Sequence, residues 1–236
     1  VLASPKGNYS ERSLLRAAGI YFEKKNYDKA ADLYARLEET AAFKDNVITA
    51  QAGLMRCHFL TGKFNSAGIS AQKVMAQEKA PASLVSEARM IYAKTLLESR
   101  DHAAAMEEFK TLVKTASGET GAEARYYIAW VYYQQANYKE SQKRCFEVIN
   151  QVPSYDYWVA KSFILLSDNY VALKDVFQAK HTLKSIIDNY EKNPGDPEDI
   201  LSIAQQKYDA LLKTENEKAI QEMREKQDKS INENEE

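Results

Sequence analysis

The sequence predicts an all-α protein of solenoid type, and three observations lead to that prediction. Apolar residues recur at helical spacing along most of the chain. Small residues return at a regular interval in five successive copies of one pattern. Glycine and proline are few, with eight and five in 236 residues, and most stand between the predicted helices. A long regular period of this kind indicates helix hairpins that are stable only when they stack in a row.

The fourth copy, from Gly121 to Pro153, shows the pattern most clearly. It predicts two short amphipathic helices joined by a tight turn at Ala136-Asn137. Ala129 and Ser141 fall where the two helices cross, and side chains of this size let two helix axes approach to about 8–10 Å. The residues equivalent to Ser141 repeat at spacings of 37, 38, 36 and 38, and they are Ala30, Ala67, Ala105, Ser141 and Ala179.

These residues resemble the tetratricopeptide repeat. Its Gly/Ala position is filled by Ala18, Met55, Ala93, Ala129 and Ser167, and its next aromatic position by Tyr21, His58, Leu96, Tyr132 and Tyr170. The Trp position is not kept, since it holds Leu14, Gln51, Arg89, Arg125 and Phe163. The resemblance implies a right-handed α-solenoid of about five tetratricopeptide helix-turn-helix repeats plus a C-terminal capping helix.

The period and the breaks between copies give the predicted boundaries. Five repeats cover residues 11–193, at about 11–44, 48–81, 86–119, 122–155 and 160–193. Residues 1–10 are expected to be the remnant of a preceding unit or disordered, and the start at Val1 suggests a mature or excised fragment. Asp196 and Pro197 predict the N-cap and first residue of a capping helix with a solvated extension over 196–228. Residues 229–236 are predicted to be a disordered tail.

Composition excludes several classes of partner. The net charge of −2 gives no indication of a nucleic acid or an anionic membrane. No apolar run approaches the roughly 18–20 residues that a membrane span needs. Cys57 and Cys145 fall in different hairpins, too far apart for a disulfide, and are predicted to be core thiols.

No motif for bond-making chemistry is found. The sequence has no glycine-rich phosphate loop, no G-x-S-x-G elbow and no H-E-x-x-H pair. His58 and His102 occupy places where an aromatic side chain would pack, so both are predicted to be partly buried packing residues. We therefore expect no enzyme activity, no catalytic residue, no cofactor and no metal.

The resemblance places the concave face of the solenoid on the first helix of each repeat. Arg56 and Lys94 are equivalent in adjacent repeats and could offer two cations to one acidic group. Tyr126, Trp130 and Tyr133 would lie on one line, as an aromatic floor for a peptide. The alternative is plain packing, with Trp130 against the fifth repeat and both cations solvated. The predicted partner-binding residues are Phe22, Arg56, Phe59, Met90, Lys94, Leu97, Tyr126, Trp130, Tyr133 and Asp168.

The leading hypothesis is therefore a non-enzymatic adaptor that binds a peptide or protein segment in this groove. One alternative is a carbohydrate-binding module in polysaccharide export, because tyrosine and tryptophan faces also stack on sugars. Another is a purely structural segment of a longer protein. Residues 123–138 and 146–162 resemble repeats of bacterial envelope lipoproteins and Tol–Pal-associated proteins, which implies a periplasmic or outer-membrane-associated location, with the cytoplasm as the alternative. Partner identity and oligomeric state stay open.

Overall fold

The computed structural model describes residues 8–232, and it describes side chains from Ser10 to Glu225. Within residues 8–232 the chain forms eleven α-helices and no strand. The helices are α1 (Asn8–Glu23), α2 (Tyr27–Thr40), α3 (Lys44–Leu60), α4 (Phe64–Met75), α5 (Ala82–Glu98), α6 (His102–Thr115), α7 (Gly118–Gln134), α8 (Tyr138–Ile149), α9 (Asp156–Ala172), α10 (Val176–Asn189) and α11 (Ile200–Asn232).

The chain divides into two compact units, Val1–Ala124 and Arg125–Glu236. In the first unit each helix from α1 to α5 packs on the next one, and α3 also packs on α1 and α5. In the second unit α9 packs on α8, α10 and α11, and α10 packs on α11. First helices thus contact both their own second helix and a neighbouring first helix, as in a solenoid. The predicted fold class, an all-α repeat protein with a C-terminal helix covering the last hairpin, is confirmed.

The small positions that set the period lie at the centre of the hairpins. All ten residues at these positions are between 0% and 1% exposed, including the larger Met55. Each hairpin has one small position on its first helix and one on its second. In the fourth hairpin a serine fills the position on the second helix, and in the fifth hairpin a serine fills the position on the first helix. Ser141 Oγ donates to the Ala129 carbonyl at 2.8 Å, and Ser167 Oγ donates to the Ala179 carbonyl at 3.2 Å. Each hydroxyl therefore bonds the backbone of the small residue that faces it.

Each hairpin turn contains one residue in the left-handed region, where the first helix stops. These residues have φ values between 56° and 71°, and they are Lys25, Gly62, Arg100, Ala136 and Lys174. The residue that follows is the N-cap of the second helix. Asn26, Asp101, Asn137 and Asp175 each accept a hydrogen bond from the backbone N–H three residues later, whereas Lys63 makes no such bond. Turn and cap together start each second helix.

Every first helix begins three or four residues before the predicted repeat start. The helices begin at Asn8, Lys44, Ala82, Gly118 and Asp156, where the period predicts 11, 48, 86, 122 and 160. Residues expected to link the repeats therefore form the first helical turn. In α9 this first turn already carries the buried Tyr157 and Trp158, which the repeat pattern does not include, so the pattern alone gives too late a start.

The predicted cap of the last helix is wrong. Helix α11 begins at Ile200, and Asp199 Oδ1 accepts the N–H of Ser202 at 3.2 Å. Asp196 instead accepts the Tyr190 hydroxyl at 2.7 Å and the Asn193 N–H at 2.8 Å, so it orders the preceding segment. The helix continues to Asn232, past the predicted end at 228. The predictions for residues 1–7 and 233–236 lie outside the described residues.

The cysteine prediction is confirmed. Cys57 and Cys145 are free thiols, and both are 0% exposed. Burial is the main cause that raises the pKa of Cys57 to about 11 and the pKa of Cys145 to about 12. Both thiols thus behave as small apolar core residues.

Candidate protein-binding surface

Two ion pairs cross between first helices in the first unit. The guanidinium of Arg56 on α3 lies 2.5 Å from both carboxylate oxygens of Glu87 on α5, through Nε and Nη2. This hydrogen bonding raises the pKa of Arg56. Lys94 Nζ on α5 lies 2.5 Å from Glu123 Oε1 on α7. We call the surface formed by Arg56, Glu87, Lys94 and Glu123 with Phe59 the charged ladder.

The aromatic ring of the charged ladder, Phe59, lies close to Lys94. Lys94 Nζ is 5.9 Å from the centroid of the Phe59 ring, within the range of a cation–π contact. The side chains of Arg56 and Glu87 stay 41% and 38% exposed, whereas those of Lys94 and Glu123 are 24% and 17% exposed. The surface thus alternates positive and negative groups over an apolar patch.

The prediction that Arg56 and Lys94 jointly offer two cations to one acid needs correction. Each cation already bonds a carboxylate of the following first helix. Partly exposed ion pairs contribute only about 0–1 kcal/mol, so a ligand carboxylate could replace Glu87 at modest cost. Glu87 and Glu123 were not among the residues predicted from the sequence. Each glutamate follows its cation by roughly one repeat less two helical turns. The separation is 31 residues from Arg56 to Glu87 and 29 residues from Lys94 to Glu123.

Three predicted groove aromatics close the hairpin turns. Each contacts an aromatic residue five positions later, at the start of the second helix. The pairs and their ring-centroid distances are Phe22–Tyr27 at 5.3 Å, Phe59–Phe64 at 5.8 Å and Tyr133–Tyr138 at 5.6 Å. Burial and then Asp168 raise the pKa of Tyr133. These rings stabilise the turns as well as contributing partly exposed apolar surface.

Tyr126 does not form an open groove floor. It is 7% exposed, and its ring lies 5.5 Å from Trp158 and 5.4 Å from Tyr127. Lys161 Nζ lies 5.5 Å from the Tyr126 ring centroid, and burial raises the pKa of the phenol well above its usual value. Tyr126 is therefore a core residue, and Lys161 is a cation of this face that was not predicted from the sequence.

The remaining predicted site residues differ in exposure. Met90 is 5% exposed and belongs to the core, whereas Leu97 and Trp130 are partly buried. Asp168 on α9 accepts from Lys207 Nζ on α11 at 2.7 Å, so its charge is compensated within the second unit. Lys161 Nζ pairs in the same way with Glu198 at 2.9 Å. In the second unit too, therefore, charges of the first-helix face are paired with residues that follow α10, on α11 or just before it.

The described side chains do not meet the requirements of a metal site. Residues 10–225 contain no group of three histidine, cysteine or carboxylate residues that could hold a metal ion. His58 is partly buried, and burial followed by Lys63 lowers its pKa. Over the described helices, none is both long enough and apolar enough to cross a bilayer.

Comparison with known proteins is consistent with this geometry. Residues 12–40 match the model of the tetratricopeptide repeat family. MamA is similar in structure, with a TM-score of 0.59 at 16% identity, over 72% of this chain and 92% of MamA. The fold is that of tetratricopeptide repeats. BtubC from P. vanneervenii has a TM-score of 0.59 at 14% identity, over 81% of this chain and 86% of BtubC.

A third similar structure is YrrB, described as a TPR protein with an unusual peptide-binding site. Its TM-score is 0.54 at 16% identity, and the match covers 74% of this chain and 84% of YrrB. No curated protein sequence matches the chain. At these identities the likeness concerns the fold, and tetratricopeptide proteins are in general non-enzymatic scaffolds that bind other proteins.

Proposed function

We propose that this chain is a non-enzymatic adaptor that binds a segment of a protein partner on the first-helix face of its repeats. The observation that carries the proposal is the charged ladder of the first unit, in which the Arg56 and Glu87 side chains are 41% and 38% exposed and Lys94 lies near the Phe59 ring. A peptide with acidic and apolar residues can exchange one internal carboxylate for its own and cover the ring. The peptide-binding site of YrrB, which has the same fold, supports the class of partner.

The envelope setting belongs to the same proposal. It is supported by the resemblance of residues 123–138 and 146–162 to repeats of bacterial envelope proteins. A periplasmic or outer-membrane-associated adaptor would act in assembly or transport through protein contacts. The carbohydrate alternative has less support, because the buried ring of Tyr126 has no free face for a sugar.

The test uses peptides selected for binding. A random peptide library displayed on phage is selected on the whole chain, and the best peptides are synthesised and titrated by calorimetry. Lys94→Glu places a negative charge beside Glu123 and Phe59, so we expect an acidic peptide to bind at least tenfold more weakly. Lys143→Glu on α8 is the matched control, since Lys143 is a solvated cation paired within its own helix.

Circular dichroism of both variants establishes that the helical content is unchanged. If the selected peptides bind Lys94→Glu and the parent chain equally, the charged ladder is not the binding surface. If no peptide is enriched beyond a scrambled library, the adaptor proposal itself is contradicted.

A further inference from the structure

The second unit contains a cavity of about 380 Å³ at the end of the fifth hairpin opposite its turn. Its walls come from the first turns of α9, the last turn of α10 and the segment that follows α10. Val159, Phe163 and Ile186 supply apolar surface, and Ile186 is itself 3% exposed. Ile186 therefore belongs to the hairpin core and forms the floor of the cavity.

The rim of the cavity is acidic. Asp156 lies at the start of α9, and Glu191 lies just after α10. Tyr190 stands between these segments and donates its hydroxyl to Asp196 at 2.7 Å, which fixes the wall. Burial, the bond to Asp196 and the charge of Asp156 raise the pKa of Tyr190. Negative charge therefore surrounds an apolar floor.

The rim carboxylates have no ion pair with any described lysine or arginine side chain. Among the described side chains, no lysine or arginine nitrogen lies within 4.0 Å of the Asp156 or Glu191 carboxylate, and no lysine or arginine lines the cavity. The two nearest lysines in sequence already have partners. Lys161 pairs with Glu198 at 2.9 Å, and Lys192 pairs with Asp199 at 2.8 Å. Both rim carboxylates are exposed, so they are accessible to the cation of a ligand.

The fifth repeat lacks a polar side chain at a position where the second, third and fourth repeats have one. The position of Phe163 holds Arg89 in the third repeat and Arg125 in the fourth. Arg89 donates from Nη1 to Glu108 on α6, so in the third hairpin this position carries a guanidinium that is paired within the hairpin.

The second repeat fills the same place with amides. Gln51, at the position of Phe163, donates to Glu38 Oε1 at 3.0 Å and accepts from Gln77 Nε2 at 3.0 Å. Gln77 corresponds to Asn189, which lines the cavity of the fifth repeat. The position thus carries a hydrogen-bonded polar side chain in the second and third repeats, whereas the fifth presents an aromatic ring.

We infer that this cavity binds the side chain of an arginine from a protein partner. The aliphatic stem covers Ile186, the planar guanidinium stacks on Phe163, and its N–H groups donate to the rim carboxylates of Asp156 and Glu191. Arginine fits better than lysine because its planar group both stacks on a ring and donates to two carboxylates at once. The inference rests on the proposed function only in taking the partner to be a protein.

The probe for the test is n-propylguanidinium chloride, which is the arginine side chain alone. It is titrated into the whole ¹⁵N-labelled chain, and the amide signals of Phe163, Ile186 and Asn193 are followed by NMR. N-propylurea, which has almost the same shape but no charge, is the matched probe. We expect the guanidinium to shift these signals with at least tenfold higher affinity than the urea.

Two variants locate the binding. In Asp156→Asn/Glu191→Gln the affinity for the guanidinium should fall at least tenfold, whereas Glu217→Gln on α11 should leave it unchanged. Phe163→Arg restores the residue type of the third and fourth repeats, so its own guanidinium should occupy the rim and abolish binding. Thermal midpoints of all variants establish that each is folded.

Equal binding of both probes, or guanidinium binding that survives Asp156→Asn/Glu191→Gln, would overturn the inference. The Lys94→Glu variant of the charged ladder should bind the probe as the parent chain does. Loss of peptide binding on the ladder and loss of arginine binding at the cavity are therefore separate results. Either site can fail while the other stands.

Discussion

Gly53 on α3 lies directly against the ring of Tyr34 on α2. A Cβ placed on Gly53 would be 2.5 Å from Cδ2 and Cε2 of that ring. Tyr34 is 8% exposed, and burial raises the pKa of its phenol, so the ring has little room to move. The absence of a side chain at residue 53 is therefore what lets the first and second repeats approach so closely.

Gly53→Ala is predicted to destabilise the chain. Alanine favours the helix by about 1 kcal/mol over glycine, but overpacking a core costs about 1–3 kcal/mol. Because the obstructing atoms belong to a buried ring, we expect the second effect to dominate and the free energy of unfolding to fall. Urea denaturation of the whole chain measures the change.

Gly19 provides the matched control within a helix. A Cβ on Gly19 would have no heavy atom within 4 Å, so Gly19→Ala gains helix propensity without a clash. We expect Gly19→Ala to raise the free energy of unfolding by up to about 1 kcal/mol. If both substitutions stabilised the chain equally, the contact between Gly53 and Tyr34 would not restrict the packing.

The hairpin turns give a second prediction. Ala136 has a φ of 56°, a region that costs a residue with a side chain about 1–2 kcal/mol relative to the right-handed region. Ala136→Gly should therefore raise the free energy of unfolding by about 1 kcal/mol. Gly62→Ala, at the equivalent place with a φ of 71°, should lower it by a similar amount. Changes of the same sign in both variants would contradict this explanation.

A buried hydrogen-bond chain gives a third prediction. Asn169 Nδ2 donates to Ser141 Oγ at 2.9 Å, and Ser141 Oγ donates to the Ala129 carbonyl at 2.8 Å, so α9, α8 and α7 are linked. Alanine fits the place of Ser141, as it does in the other four repeats, and only the hydrogen bonds are lost in Ser141→Ala. We expect a loss of about 1–3 kcal/mol, because buried donors and acceptors are left without a partner.

Ser167→Ala is the comparison for this variant. The Ser167 bond to the Ala179 carbonyl is longer, at 3.2 Å, and it links only the two helices of one hairpin. Its loss should cost less than that of Ser141. Equal costs, measured by urea denaturation, would show that the bond to Asn169 contributes nothing.

The hairpins could be predicted from the sequence because one physical rule fixes them. Two helices cross closely only over small side chains, so Ala129 and Ser141 identify the crossing, and the period repeats it along the chain. The exposure of one side chain depends on the next repeat and could not be predicted in this way. Tyr126, Trp130 and Tyr133 share a line on α7, but Trp158 and Lys161 from α9 cover the first of them.

The pairing of the cations was likewise outside the reach of helical periodicity. Arg56 and Glu87 lie on different helices and 31 residues apart, so their contact depends on how α3 and α5 are offset. A search for opposite charges separated by roughly one repeat less two helical turns would have found both ion pairs of the charged ladder.

Acid sensitivity gives a fourth prediction, centred on Glu11. This carboxylate is 3% exposed, and it accepts the Ala42 N–H at 2.9 Å and Asn46 Nδ2 at 2.7 Å. The bonds to Ala42 and then to Asn46 lower the pKa of Glu11 below 4.5. A lowered pKa contributes stability that is present above pH 4.5 and is lost as the pH falls through the folded-state pKa.

The measurement compares Glu11→Gln with the parent chain in urea at several values of pH. The variant should be less stable at pH 7, and the difference should shrink as the pH is lowered below 4.5. Glu217→Gln is the control, because Glu217 is exposed on α11 and lies 4.0 Å from Lys213 of its own helix. A constant difference between Glu11→Gln and the parent chain at every pH would contradict the role of this carboxylate.

The two buried thiols give the last prediction. Burial raises the pKa of Cys57 to about 11 and that of Cys145 to about 12, so at pH 8 about one thiol in a thousand or fewer is ionised in the folded chain. A disulfide reagent that reacts with the thiolate should therefore modify neither cysteine until the chain opens. In denaturant, both should react within seconds to minutes.

The same shift predicts how stability changes at alkaline pH. In the unfolded chain both thiols lose their protons near pH 8.5, while the folded chain still holds them. The unfolded state binds fewer protons above that pH, so the free energy of unfolding falls as the pH rises from about 8.5 to 11. Cys57→Ala and Cys145→Ala should each reduce this slope. If the disulfide reagent modified the folded chain rapidly at pH 8, the cysteines would be accessible to solvent, and the prediction would be contradicted.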